Sequence, residues 1–281
     1  MRLAKTGWIL LAMISVALWC APLLCSNGNG TGPSITVITQ NVGDIKGEPT
    51  IESIVEVLRN LPPPDVFLLQ EVGGVGNSWN IARRLGYKHI HHMLYADIAT
   101  GGLVILSRRE IRNPLRFHFK GPRRGTGVVL GEVEVGGLPV LVGNVHLSHI
   151  KTIPMDHGSY DPSTWQMVEI LYDEMFNENA RSQEARQLMD FIGALPNRRI
   201  ILGGDFNAVP FTKAIRIMNE RFRDALWPTL WFFSPTYRRM NSWVSPRIDY
   251  IFHSDEVKRE EARIFRRTVG DHYPVYARFR L

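Results

Sequence analysis

The sequence contains only two cysteines, Cys20 and Cys25, and both fall within its first 25 residues. The remainder therefore has no disulfide and no thiol chemistry, which excludes cysteine proteases, zinc fingers and iron–sulfur sites. It also lacks a Gly-x-Ser-x-Gly elbow, a phosphate-loop lysine motif and a His-Glu-x-x-His pair. No internal repeat of fixed period is visible. Charged residues make up 21% of the chain and apolar residues 44%, which describes an ordinary globular core and not a disordered tail. The excess of positive charge is mild. Without Arg2 and Lys5, the 33 basic residues become 31 against 27 acidic ones, a net of +4. Arginine pairs recur at 108–109, 123–124, 198–199, 238–239 and 266–267. Such a surface suits a phosphate-bearing substrate, although paired arginines also occur on plain solvated faces.

Residues 1–25 carry Arg2 and Lys5 ahead of an apolar run of 18 residues from Trp8 to Cys25. This is the pattern of a secretory leader or a membrane anchor. As a helix the run would reach about 27 Å, barely a bilayer. Basic residues ahead of it place the rest of the chain outside the cytoplasm. The expectation is an exported protein, either released or membrane-tethered, and the leader does not decide between the two. Residues 26–34, rich in Gly and Asn, read as a flexible linker. Residues 35–281 read as one domain, expected to act as a monomer.

Within that domain Ile35–Asn41 alternates as a strand. Thr50 then caps a helix whose Ile51, Ile54, Val55 and Leu58 follow the i, i+3, i+4, i+7 rule, and Pro62-Pro63-Pro64 ends it. Val66–Leu69 is continuously apolar, hence a buried strand, and leads through Glu71 into a loop with Gly73, Gly74 and Gly76. A short helix is expected over 78–85. Strands are expected over 87–93, 102–107, 115–119, 126–135 and 138–146, the last two joined by the hairpin pair Gly136-Gly137. A helical region over 163–195, broken near 177–179, precedes the strand of Ile200, Ile201 and Leu202. That strand runs through Gly203-Gly204 to Asp205 and Asn207. A helix over about 211–220, a strand over 248–252 and a last strand over 273–279 complete the chain. Hairpins mixed with helix-separated strands argue for mixed sheets with helices outside, an α+β architecture.

Several of these strands end in chemically useful residues. In order they are Gln40-Asn41, Leu69-Gln70-Glu71, Asn144-Val145-His146-Leu147, Gly204-Asp205-Phe206-Asn207 and Arg247-Ile248-Asp249-Tyr250-Ile251, with Gly270-Asp271-His272-Tyr273-Pro274-Val275 opening a last one. This series resembles the endonuclease/exonuclease/phosphatase superfamily, whose fold is that of pancreatic deoxyribonuclease, and the resemblance covers nearly all of residues 35–281. It implies a four-layer α/β/β/α sandwich with the site at one end of two mixed sheets. Two departures stand out. Gly270 occupies a position that is commonly serine in this family, which puts one hydrogen bond in question. His146-Leu147-Ser148 also sets the chain apart from the exonuclease III branch, and resembles instead the deoxyribonuclease, sphingomyelinase and phosphatase branches.

The chemistry of a phosphodiester needs such residues. Hydrolysis builds negative charge on the phosphate and leaving oxygens, and a hard cation with oxygen ligands offsets it. The resemblance implies Glu71 as the first metal ligand, with Asn41 and Asp271 nearby, and oxygen donors favour Mg²⁺ or Mn²⁺ over zinc. Asp205 would orient or deprotonate the attacking water, with Asn207 holding the phosphate. Asp249 would hydrogen-bond His272 and favour its imidazolium. His146 would contact the phosphate or protonate the leaving oxygen. The sequence leaves open whether Asp205 or the Asp249–His272 pair is the general base. It also leaves open the substrate: nucleic acid is expected, with a phospholipid headgroup or a phosphomonoester as rivals, and a silent binding module as the reading of another class. His89 and His91 share a strand face, but rim histidines explain them. Trp227, Trp231, Phe232 and Phe233 are expected to pack under a long loop.

Overall fold

Alternation along the strands decides how the layers stack. In the computed structural model, which describes residues 32–43, 50–95, 101–121, 126–149, 164–227, 234–238 and 246–281, twelve strands form two six-stranded sheets. The first contains β1 (Ser34–Asn41), β2 (Val66–Gln70), β3 (His89–Leu94), β4 (Gly102–Ser107), β11 (Lys258–Ile264) and β12 (Val275–Arg280), in the order β11-β12-β1-β2-β4-β3. The second contains β5 (Arg112–His118), β6 (Gly127–Val135), β7 (Leu138–His146), β8 (Ile200–Asp205), β9 (Arg223–Asp224) and β10 (Asp249–His253), in the order β5-β6-β7-β8-β10-β9. Each sheet is mixed, with one parallel pair: β1 with β2 in the first and β7 with β8 in the second.

One apolar cluster lies between the sheets, built from Ile35, Val37, Val66 and Leu68 on one side and Val140, Val142, Ile201 and Ile251 on the other. The alternate residues face outward onto helices. Helices α1 (Ile51–Arg59) and α2 (Gly74–Leu85) cover the first sheet, where Ile54, Val55, Leu58 and Ile81 meet Phe67, Leu69 and Leu106. Helix α3 (Thr164–Phe176) precedes α4 (Ala180–Gly193) and α5 (Lys213–Asn219). These last two cover the second sheet through Leu188, Ile192, Ile215 and Met218. The result is the four-layer α/β/β/α sandwich. Local signals agree with it: Thr50 accepts a hydrogen bond from the Ser53 N–H, and Asn179 and Ser182 form a capping box on α4.

Some local expectations change. The glycine-rich stretch after Glu71 is already helix from Gly74, because burial of Ser78, Ile81 and Ala82 outweighs the low helix propensity of glycine. Strand β11 was hidden by its charge. It is an edge strand pairing only with β12, and Glu260 and Glu261 form ion pairs with Arg278 and Arg280 of that neighbour. The final strand starts at Val275, so Asp271 and His272 sit on the loop before it. His91 is buried and its Nε2 lies 2.9 Å from the Leu115 carbonyl oxygen, a cross-sheet tie and not a metal ligand. Trp227 is 52% exposed, against the expectation that it packs. Residues 1–31 and the arginine pair at 123–124 lie outside the described residues, as do Trp231, Phe232 and Phe233. Among the described residues no helix is long and apolar enough to cross a membrane.

The two sheets are tied by polar bonds at one end of the apolar cluster. Asn144 of β7 donates from Nδ2 to the carbonyls of Leu69 and Val104, at 2.8 and 2.9 Å, and accepts from Gln70 Nε2 at 2.6 Å. All of these groups are buried, so losing one partner strands the others. Asn144→Ala should therefore lower the unfolding free energy by about 2–4 kcal/mol, read from urea denaturation. An unchanged midpoint would show that the tie contributes nothing.

Candidate active site

The inward face of each central strand is mainly apolar and turns polar toward one end. Along β1 the inward series Ile35, Val37, Thr39 ends in Asn41. On β2 Val66 and Leu68 lead to Gln70, on β7 Val140 and Val142 lead to Asn144 and His146, and on β8 Ile201 leads through Gly203 to Asp205. Strand β10 runs the other way, so Asp249 opens it opposite Asp205. Period-two alternation thus continues the inter-sheet core into a polar cluster at one end of the sandwich. Glu71 would point outward by the same rule. Its backbone is instead left-handed, φ 60°, and Asn207 has φ 47°. Two of the four described non-glycine residues in this conformation are therefore site residues, and both carry local strain. Gly203 brings the sheets close: a Cβ there would lie 2.7 Å from Leu68 Cδ1.

Asp205 is the centre of the cluster and is wholly buried. Its Oδ1 accepts from the Asn207 backbone N–H at 2.8 Å, and its Oδ2 from Asn41 Nδ2 at 3.1 Å. Two histidines flank Oδ2, with His146 Nε2 at 3.6 Å and His272 Nε2 at 3.8 Å. His272 Nδ1 lies 3.1 and 3.0 Å from the two carboxylate oxygens of Asp249. Asp249 is held in turn, since the Thr236 hydroxyl accepts from the N–H groups of Ile248 and Asp249. His146 Nδ1 meets the Tyr95 hydroxyl at 2.5 Å. Asn207 Nδ2 lies 3.2 Å from His146 Nε2 and donates to the Leu147 carbonyl.

The environments of the two histidines push them in opposite directions. Burial lowers His146 below its ordinary value, and the nearby charges of Asp205 and Glu71 do not restore it. Burial also opposes the charged form of His272, but Asp249 and then Asp205 outweigh it and lift the ring to about 10. For Asp249, burial pulls toward the neutral acid. The bond from both its oxygens to one ring nitrogen favours the ionised pair. Burial likewise raises Asp205, yet His272, His146 and the Asn207 N–H bring it below the usual carboxylate range.

The residues fit a divalent cation. Glu71 Oε1 lies 2.9 Å from Asn41 Nδ2 and 3.8 Å from His146 Nε2. Burial raises the Asp271 carboxyl, and the charge of Glu71 adds to that rise. Neighbouring carboxylates of this kind are what a cation between them would relieve. Asn41 donates from Nδ2 to both Glu71 and Asp205 while its Oδ1 accepts from Gly43 N–H at 2.9 Å, so in this arrangement it holds the carboxylates in place. All eight residues singled out in the sequence (Asn41, Glu71, His146, Asp205, Asn207, Asp249, Asp271 and His272) therefore lie at this end of the sandwich. Tyr95, His149 and Thr236 were not anticipated. Tyr95 follows β3 with no motif around it, and Thr236 lies in a stretch read only as aromatic. The His-x-x-His spacing of His146 and His149 was a visible signal.

A four-layer sandwich with carboxylates and histidines gathered at its strand ends defines a class of phosphoester hydrolases. The family model described as the Endonuclease/Exonuclease/phosphatase family matches residues 38–272, and the chain belongs to that family. No curated protein sequence matches it. Among solved structures it resembles an endonuclease/exonuclease/phosphatase from Beutenbergia cavernae, with 20% identity, TM-score 0.63, and 89% of this chain and 72% of the other covered. It also resembles D. rerio TDP2 complexed with single strand DNA product, at 15% identity and TM-score 0.64, covering 88% and 99%. A mannosyl-6-phosphatase of Bacteroides thetaiotaomicron matches at 16% identity and TM-score 0.62, covering 88% and 100%. At these identities the likeness is one of fold.

The opposite behaviour of the histidines is measurable. At pH 8 nitrogen NMR should find His272 as an imidazolium and His146 as a neutral ring. In Asp249→Asn, His272 should titrate at least about one unit lower. Because the folded value, about 10, exceeds the reference of 6.5, the stability from His272 is complete below 6.5 and lost as pH rises through about 10. A neutral His272 at pH 8 would contradict the charged pair.

Proposed function

We propose that this chain is a divalent-metal-dependent phosphodiesterase acting on nucleic acid, DNA first of all. The observation that carries the reading is the wholly buried Asp205 with two histidines, His146 and His272, each within 3.8 Å of its Oδ2. In-line attack of water on a phosphodiester needs an acceptor for the water's proton and positive charge opposite the phosphate oxygens. Asp205 orients the water and takes its proton. His272, charged up to about 10, is a poor base at neutral pH and serves as the fixed positive charge. Asp249 holds that charge in place, and Asn207 keeps the phosphate in register with Asp205. His146, held at Nδ1 by Tyr95, presents Nε2 to the phosphate. Glu71, with Asp271 beside it, would hold Mg²⁺ or Mn²⁺, and such an ion would supply Lewis-acid charge to the phosphate oxygens.

Nucleic acid is supported by the basic excess, by the arginine pairs, and by the fold shared with a TDP2 that holds a single strand DNA product. The membrane tether expected from the leader supports a lipid headgroup instead, by placing the site outside the cytoplasm near phospholipid. The completeness of the Asn41, Glu71, His146, Asp205, Asn207, Asp249 and His272 set argues against a silent binding module.

A panel of plasmid DNA, RNA, sphingomyelin, phosphoinositides, a sugar phosphate and a bis-aryl phosphate, with Mg²⁺ and with chelator, tests the class. Hydrolysis should need the metal, and Glu71→Gln should reduce it by roughly a hundredfold or more, since removing even outer-shell partners of a metal loses 10–100-fold. Metal dependence identical to that of the parent would remove Glu71 as a ligand. Salt separates the substrates. Several phosphate contacts would weaken DNA binding by Asp205→Asn by roughly a thousandfold between 50 and 200 mM salt, and Arg123→Ala with Arg124→Ala should make that slope shallower. A flat slope beside cleavage of a lipid headgroup or sugar phosphate would move the assignment to that substrate.

A further inference from the structure

Helix α2 carries a stripe that the fold leaves in solvent. Ser78, Ile81 and Ala82 are its buried face. Gly76, Trp79, Asn80 and Arg83, spaced i, i+3, i+4 and i+7, share the other side. With Gly86, Tyr87 and Lys88 they line an open groove of about 810 Å³. Trp79 is 55% exposed, a large apolar surface left uncovered.

The walls of this groove are fixed. Tyr87 is buried, donates its hydroxyl to the Pro64 carbonyl at 2.6 Å and meets Phe67 edge to face. Gly86 caps α2 in the left-handed region, φ 78°, and the turn sets Lys88 along the same groove as Arg83. The space above Gly76 and Gly86 is open, since a Cβ at either would meet nothing within 4 Å. Charge here has one sign. From Gly74 to Lys88 the chain has no acidic residue. Arg84 pairs with Glu52, whereas the exposed Arg83 and Lys88 side chains have no acidic or hydrogen-bonding partner among the described residues. The groove also starts at the reactive end. Helix α2 begins three residues after Glu71, and Gly76 and Arg83 stand about 10 Å apart along its axis.

We propose that this groove holds a single strand of nucleic acid beside the active site, with a base stacked on Trp79 and phosphates against Arg83 and Lys88. The proposal rests on the nucleic-acid reading above and adds a subsite to it. An aromatic face next to cations that follow the backbone is how single strands are bound without regard to sequence. A duplex keeps its bases stacked on one another and offers Trp79 no free face. A bilayer would take a broad apolar face, whereas this surface is concave and exposes one large apolar side chain among polar ones.

The test uses full-length protein in detergent with chelator, so that binding is read without cleavage. By fluorescence anisotropy, a labelled oligothymidylate should lose about 5- to 100-fold in affinity in Trp79→Ala, with an unchanged circular dichroism spectrum. An abasic oligomer of the same length keeps the phosphates and lacks the bases, so it should bind the parent and Trp79→Ala alike. Arg83→Ala with Lys88→Ala should make the slope of log affinity against log salt shallower by about 1.4, two contacts at about 0.7 each. Trp227→Ala, which removes another exposed ring, should bind as the parent does. Equal oligothymidylate affinity in the parent and Trp79→Ala overturns the proposal. So does Trp79-dependent binding of anionic phospholipid vesicles with no binding of the oligomer. Hydrolysis with Mg²⁺ in the same preparations reports on the other reading. Trp79-dependent oligomer binding, with no hydrolysis of nucleic acid by the parent, sinks the nuclease and leaves the groove. Hydrolysis of DNA by a parent whose oligomer affinity ignores Trp79 does the reverse.

Discussion

A carboxylate with no exposure to water is the constraint from which the rest of this site follows. Asp205 lies at the end of the inter-sheet core, where an unpaired charge would be prohibitively unfavourable. Its oxygens are satisfied by the Asn207 N–H and Asn41 Nδ2, but hydrogen bonds alone leave a net negative charge. Positive charge must come from His272, the one histidine of the pair held as imidazolium. That ring is buried too, so it stays charged because Asp249 lies against Nδ1 and Asp205 faces Nε2, and Asp249 is fixed in turn through Thr236. Each step transfers the desolvation penalty to the next residue. The chain of dependence ends on Thr236, 13 residues before Asp249.

The same core explains why the site has so little freedom. Strands that alternate cleanly cannot move a terminal side chain without slipping register, and a one-residue slip would turn the apolar face of β1 or β8 outward. Side chains that alternation would direct elsewhere are recovered by backbone strain, as at Glu71 and Asn207. Left-handed backbone at a non-glycine residue is unfavourable by about 1–3 kcal/mol. It persists here because the Gln70–Asn144 tie just before Glu71 holds the two sheets in place. Packing thus determines where strain can be tolerated, and the strain places the reactive groups.

Much of this was legible from residue order. The run Ile200 to Asp205 and the alternation of Leu138 to His146 gave strands whose ends match those found, and the break in the long helical region fell between α3 and α4. What stayed hidden has physical reasons. Strand β11 sets only Ala262 and Ile264 against the core and opens on four charged residues, Lys258, Arg259, Glu260 and Glu261, so it lacks the apolar alternation that marks the other strands. Tyr95 acts through one hydroxyl aimed across the sheets at a residue 51 positions away, a relation that no local window contains. The direction of each histidine's shift was equally out of reach, since it depends on which carboxylate each ring faces once the sheets close.

The glycine that departs from the family pattern has a steric explanation. A serine preceding Asp271 would be expected to add a hydrogen bond, and Gly270 seemed to forfeit it. A Cβ on Gly270, however, would come within 2.9 Å of the Gly43 carbonyl oxygen, and a Cβ on Gly43 would fall 1.9 Å from Glu71 Oε2. The two glycines let the end of β1 press between the His272 loop and the Glu71 carboxylate. Any side chain at either place would push these apart. The local hydrogen bonding is taken over by Thr268, whose hydroxyl binds the His272 carbonyl and receives both the Gly270 N–H and Gln40 Nε2. Substitution of Gly270 by serine would thus restore a donor that Thr268 already replaces, at the expense of the close approach that sets Glu71 beside Asn41 and His146.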